Sequence, residues 1–112
     1  MSYRNGYFRK KAGVKARPVP EMGFCLVYTP QNPNLYTLNP TSWLIMELCD
    51  GVSFATLERR YWNEVNEAYE EDNQGVSPFV APPRPAKPEV RRELREGLEE
   101  LESTQVIEFI AA

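Results

Sequence analysis

The stretch Leu35-Tyr36-Thr37-Leu38-Asn39-Pro40-Thr41-Ser42-Trp43-Leu44-Ile45-Met46-Glu47-Leu48-Cys49-Asp50-Gly51 changes character in the middle, and the change decides the fold class. Its first four residues form a short β-type run. Asn39-Pro40 then opens a helix, because the asparagine oxygen can cap free backbone amides and a proline in the first turn needs no donor of its own. Trp43, Leu44, Ile45, Met46, Leu48 and Cys49 cover most of that helix's circumference, which predicts the most buried helix of the chain. Asp50-Gly51 closes it.

Working back toward the start, Phe24-Cys25-Leu26-Val27-Tyr28 reads as a strand. The turn-formers Thr29-Pro30-Gln31-Asn32-Pro33-Asn34 join it to Leu35–Leu38 as a hairpin with a loop longer than a tight turn. Arg17-Pro18-Val19-Pro20 before it is expected to be extended, since each proline biases its predecessor toward the β region. Residues 1–16 combine charge and glycine with few large aliphatics, and are expected to form a flexible basic tail. Working forward, Ser53 is the next N-cap. Val52 and Leu57 suit a hydrophobic staple around it, and Phe54, Leu57, Tyr61, Val65 and Ala68 run along one face of a second helix to about Glu71.

Asp72 to Pro88 holds five of the ten prolines, so an extended linker is expected there, unusually long for the interior of one domain. Pro88 suits the first turn of a third helix, with Val90, Leu94, Leu98 and Leu101 as its apolar face. Gly97 marks either close packing or a weak spot. Val106-Ile107-Glu108-Phe109-Ile110 closes the chain as a strand-like segment. The expected fold is α+β: a short antiparallel sheet of two or three strands followed by three helices. The expected division is a tail over 1–16 and one domain over 17–112, interrupted by an insertion at 72–88.

Composition narrows the function classes. The 112 residues carry 13 basic and 16 acidic side chains and no histidine, which removes the usual general base and the commonest metal ligand. No enzymatic activity, metal or cofactor is therefore expected. Cys25 and Cys49 lack metal-ligand spacing and read as reduced core residues of a cytoplasmic protein. No apolar run approaches the roughly 20 residues of a membrane span, and Met1–Gly13 has no signal-peptide core. Six basic residues precede the first acid, Glu21; beyond residue 20 the chain has 7 basic against 16 acidic residues, a balance of −9 that repels nucleic-acid phosphates.

From Arg17 onward the series resembles the PqqD-like family, the peptide-recognition elements of pathways that modify ribosomally made peptides. Arg17-Pro18, Leu38-Asn39, Leu48-Cys49-Asp50-Gly51, and Leu98 to Leu101 before Val106-Ile107 carry the likeness. The longer 72–88 segment departs from the pattern. The resemblance implies a winged-helix-like fold and an adaptor's role, in which the chain captures the leader of a precursor peptide and presents its core to a modifying enzyme, often of the radical-SAM type. It also places the third helix beside the edge of the Leu35–Leu38 strand. Leu35, Tyr36, Thr37 and Leu38 would then form one wall of a peptide groove, and Val90, Arg91, Leu94, Arg95 and Leu98 the other.

The edge strand suits such a role, because an added strand gains main-chain hydrogen bonds whatever its sequence. Leu94 and Leu98 fit a core reading better than ligand contact, and Arg92 with Glu96 and Arg95 with Glu99 have the spacing of surface pairs. Glu64, Glu67, Glu70, Glu71 and Asp72 read as a solvated helix face. Two further functions compete with the adaptor: a winged-helix nucleic-acid binder using the basic tail, and a structural subunit of a maturase that recognises no peptide.

Overall fold

The computed structural model describes residue 3, residues 5–31 and residues 33–112. Met1, Ser2 and Arg4 of the expected tail, and Asn32 of the hairpin loop, lie outside the described residues. The elements in chain order are β1 (Gly6–Lys10), β2 (Lys15–Val19), β3 (Phe24–Thr29), β4 (Asn34–Leu38), α1 (Pro40–Leu48), β5 (Asp50–Val52), α2 (Phe54–Asp72), α3 (Lys87–Ser103) and β6 (Ile107–Ala111), with a 3₁₀ turn at Pro20–Met22. They form an α+β fold with two antiparallel three-stranded sheets, ordered β2-β3-β4 and β5-β1-β6.

The helix starts follow from local chemistry. Asn39 caps α1 by accepting from Ser42 N–H at 2.8 Å, with Pro40 in the first turn. Ser53 caps α2 by accepting from Thr56 N–H at 3.2 Å. Gly97 marks a close helix contact: a Cβ there would lie 2.4 Å from Ile45 Cδ1, so α3 crosses α1 where one side chain is missing. Close packing is thus the role of that glycine.

The expectation of a flexible tail is corrected for the described part of residues 1–16. Gly6–Lys10 is the central strand of the second sheet, paired with β6 from Gly6↔Ala111 to Lys10↔Ile107 and with β5 at Phe8↔Val52. The reason is aromatic burial. Phe8 is fully buried, and the rings of Tyr3, Phe54 and Phe109 surround it or one another at centroid distances of 4.8 to 5.5 Å. Gly6 serves this sheet directly, since a Cβ there would sit 2.3 Å from the Ile110 carbonyl oxygen. Asp50-Gly51, expected as a helix stop, also begins β5.

The 72–88 segment is likewise more ordered than an extended linker. Turns at 73–75 and 78–80 double it back, and Tyr69 Oη donates to the Pro82 carbonyl at 2.5 Å. Arg84 ion-pairs with Glu70 and lies 5.0 Å over the Tyr69 ring, which straps the segment to the end of α2. Between the sheets and helices, Phe8, Val27, Ile45, Met46, Leu57, Leu94, Leu98, Leu101 and Ile107 form one core. Cys25 and Cys49 lie in it as free thiols, both pushed upward in pKa by burial, Cys49 to about 12.

Candidate functional site

The register of the β2-β3-β4 sheet separates its two faces. Cys25, Val27 and Thr29 of β3 are buried and stand opposite Leu38, Tyr36 and Asn34 of β4, so those residues share the side on which α1 packs. Phe24, Leu26, Tyr28, Leu35 and Thr37 share the opposite side.

The sheet ends at β4. No strand among the described residues pairs with its outer edge. Asn34 Oδ1 takes the Leu35 N–H at 2.8 Å, so that amide does not cross to β3. The antiparallel alternation then aims the backbone groups of Leu35 and Thr37 outward, while Tyr36 and Leu38 face the β3 ladder. Leu35 is 62% exposed, Tyr36 half-buried, Thr37 exposed and Leu38 buried. This edge carries neither proline nor charge. The opposite border of the same sheet does: β2 loses a donor at Pro18 and displays Lys15 and Arg17, features that blunt a strand edge. In the other sheet β5 is three residues long and breaks register at Phe8/Arg9, whereas β6 is a full-length border strand.

The second wall of the expected groove is not assembled. Val90, Leu94 and Leu98 are buried, at 5% exposure or less, because α3 spends its apolar stripe on α1, α2 and β6. Arg91 pairs with Glu58 of α2 at 3.1 Å, and the Arg95 guanidinium lies 4.9 Å over the Phe54 ring. Both cations are thus turned toward α2. Of the nine residues expected in the groove, the four on β4 stay together at one border. The five on α3 divide into three core residues and two exposed arginines engaged elsewhere.

One feature of the same layer was not expected. Pro18 on β2 and Pro40, Trp43, Leu44 and Glu47 on and beside α1 line an open, mainly apolar groove of about 500 Å³. Trp43 and Leu44 read from the sequence as core, but the helix is apolar around more of its circumference than the sheet and α3 can cover. That surplus was the available signal.

Polar chemistry elsewhere serves structure. Tyr61 donates to Glu93 across the α2–α3 seam, and Tyr3 donates to Glu102 at 2.7 Å. Burial first, and the carboxylate second, push both phenols above their ordinary pKa. Among the described residues no group of three or more histidine, cysteine or acidic side chains could hold a metal, and no helix is long and apolar enough to cross a membrane. Compared with known protein families, with curated proteins and with solved structures, the chain finds no match.

Proposed function

We propose that this chain is a non-catalytic cytoplasmic adaptor. It would take up the leader of a ribosomally made precursor peptide as a fourth strand on β4 and hold it for a separate modifying enzyme, of the radical-SAM type if the PqqD-like resemblance extends to the partner. The observation that carries the reading is the outer edge of β4: regular, uncharged, proline-free and unpaired with any strand among the described residues.

Magnitudes set what the edge must do. Of the four backbone groups on the two outward residues, the Leu35 N–H is already held by Asn34 Oδ1, which leaves up to three hydrogen bonds for a peptide; at roughly 0.5–1.5 kcal/mol net each, they barely offset the cost of association. Burial of two aliphatic side chains of the peptide adds about 3–6 kcal/mol, giving micromolar to submicromolar binding. Exposed Leu35 and half-buried Tyr36 are the β4 side chains placed to receive them. With Val90, Leu94 and Leu98 buried, α3 would contribute shape rather than direct contacts. The nucleic-acid reading loses support, because Arg9 and Lys10 belong to β1 and pair with Glu108 and Glu47.

The test is titration of labelled precursor leader, with and without the cognate enzyme. Saturable binding below about 100 μM is expected. Thr37→Pro, which deletes one outward donor, should weaken it at least tenfold, whereas Thr37→Val, which keeps the N–H, should not. Absence of saturable binding, or equal affinities of the two variants, contradicts the reading.

A further inference from the structure

The large hydrophobic side chains exposed among the described residues fall into two groups. Met22, Tyr28 and Leu35 belong to the β2-β3-β4 sheet and the turn joining β2 to β3. Tyr28 and Leu35 stand on the sheet's outer face, opposite the side on which α1 packs, with half-buried Phe24 and Leu26 between the strands. The second group, Val76, Phe79 and Val80, caps the turn of the 72–88 insertion. Phe79 is 99% exposed there, although its turn is fixed by Val80 and Ala81 N–H donation to the Ser77 carbonyl, both at 3.0 Å. An aromatic ring presented to water by an ordered turn is a feature that binding explains and folding does not.

The charges beside the two groups are opposite in sign. In register with Tyr28 and Leu26 on the outer face are Lys15 and Arg17, neither of them ion-paired among the described residues; Glu21 is the carboxylate in the adjoining turn. Residues 73–81 carry no charge, but the helix end that supports them displays Glu67, Glu71 and Asp72, while Glu70 is taken by Arg84. Each chain therefore holds both halves of a complementary pair, basic-rimmed and apolar on the sheet, acidic-rimmed and apolar on the insertion.

We propose that two copies of this chain associate by seating the Val76–Ala81 turn of one on the outer face of the β2-β3-β4 sheet of the other. Apolar surface then meets apolar surface, and Glu67, Glu71 and Asp72 face Lys15 and Arg17. Exchanged reciprocally about a two-fold axis, the two contacts make one closed, isologous interface. One turn covers less than the roughly 800 Å² per partner of a standard interface, so two such contacts and a weak, concentration-dependent dimer are expected. The inference does not depend on peptide binding at the β4 edge.

Sedimentation equilibrium of the full chain tests it. At 50 mM NaCl the average mass should rise from one chain toward two between about 10 and 300 μM, and at 500 mM the association should weaken several-fold. Phe79→Ala, at an exposed position, should weaken it about tenfold or more without changing the circular dichroism. Lys15→Glu/Arg17→Glu and Glu67→Lys/Glu71→Lys/Asp72→Lys chains should each stay single, yet associate when mixed. A chain that stays single at every concentration overturns the proposal. So does association that Phe79→Ala leaves unchanged, or a mixture of the folded charge-swapped chains that does not associate.

Discussion

The two sheets of this molecule are built alike and differ in what they can give up. Both are antiparallel and three-stranded. The β5-β1-β6 sheet joins segments up to about a hundred residues apart, and its middle strand carries the fully buried Phe8 into a four-ring aromatic cluster. The β2-β3-β4 sheet joins consecutive segments, buries one face on α1 and leaves the other face and a clean border exposed. The long-range sheet therefore clasps the first and last strands onto the helices, while the local sheet gives Cys25, Val27 and Leu38 to the core from one face and keeps the other face and one border open.

Weakening the clasp is the severest challenge to that contrast. Phe8→Ala should cost about 3–5 kcal/mol, read as a lowered urea midpoint, because the surrounding rings and Val52 cannot collapse into the space. Leu35→Ala on the exposed face of the local sheet should cost about 0.5 kcal/mol or less by the same measurement. Equal losses would erase the distinction.

A second test uses pH at the junction of α1 and β5. Burial holds the Cys49 thiol in its neutral form up to about 12 in the folded chain, against 9.0 as the unperturbed reference for the unfolded chain. A raised folded pKa gives a contribution that is whole below the unfolded value and lost as pH rises toward the folded one. Stability should therefore fall between about pH 9 and 12, by on the order of 2 kcal/mol at pH 11 from this group. Denaturant unfolding of Cys49→Ala should show a correspondingly shallower decline.

Gly97→Ala should come next, costing about 1–2 kcal/mol, since overpacking against Ile45 exceeds the helix-propensity gain of alanine. Ile45→Val in that background should recover part of the loss, which double-mutant unfolding would measure. The smallest effect belongs to the clasp's surface. Arg9 and Glu108 pair at 2.9 Å with the arginine side chain half exposed to screening water, so removing either should leave the urea midpoint almost unchanged, and more nearly so in high salt.

The parts of the fold legible in the sequence are those that local chemistry controls. Asn39-Pro40 and Ser53 cap helices, the Phe24–Leu38 hairpin has a turn-rich middle, and Val90, Leu94, Leu98 and Leu101 hold helical spacing; all take the expected places. β1 was hidden because Arg9 and Lys10 at its end run into Lys11 as a basic stretch, and both of its partners lie far along the chain. Its signal was Tyr3, Tyr7 and Phe8 beside Gly6, a run with strand propensity inside a basic stretch. In the candidate site, the β4 edge was legible because an edge follows from strand count. The α3 wall was not, because Val90, Leu94 and Leu98 keep the same spacing whether they line a groove or fill a core.

Amide hydrogen exchange with saturating precursor leader puts the β4 border itself on trial. Added protection is expected at its outward Thr37 amide, the Leu35 N–H being already held by Asn34 Oδ1, with β2 and β6 unchanged. Protection that falls on β6 or in the Pro18–Trp43 groove instead, or exchange at β4 that leader leaves untouched, would contradict strand addition at this edge.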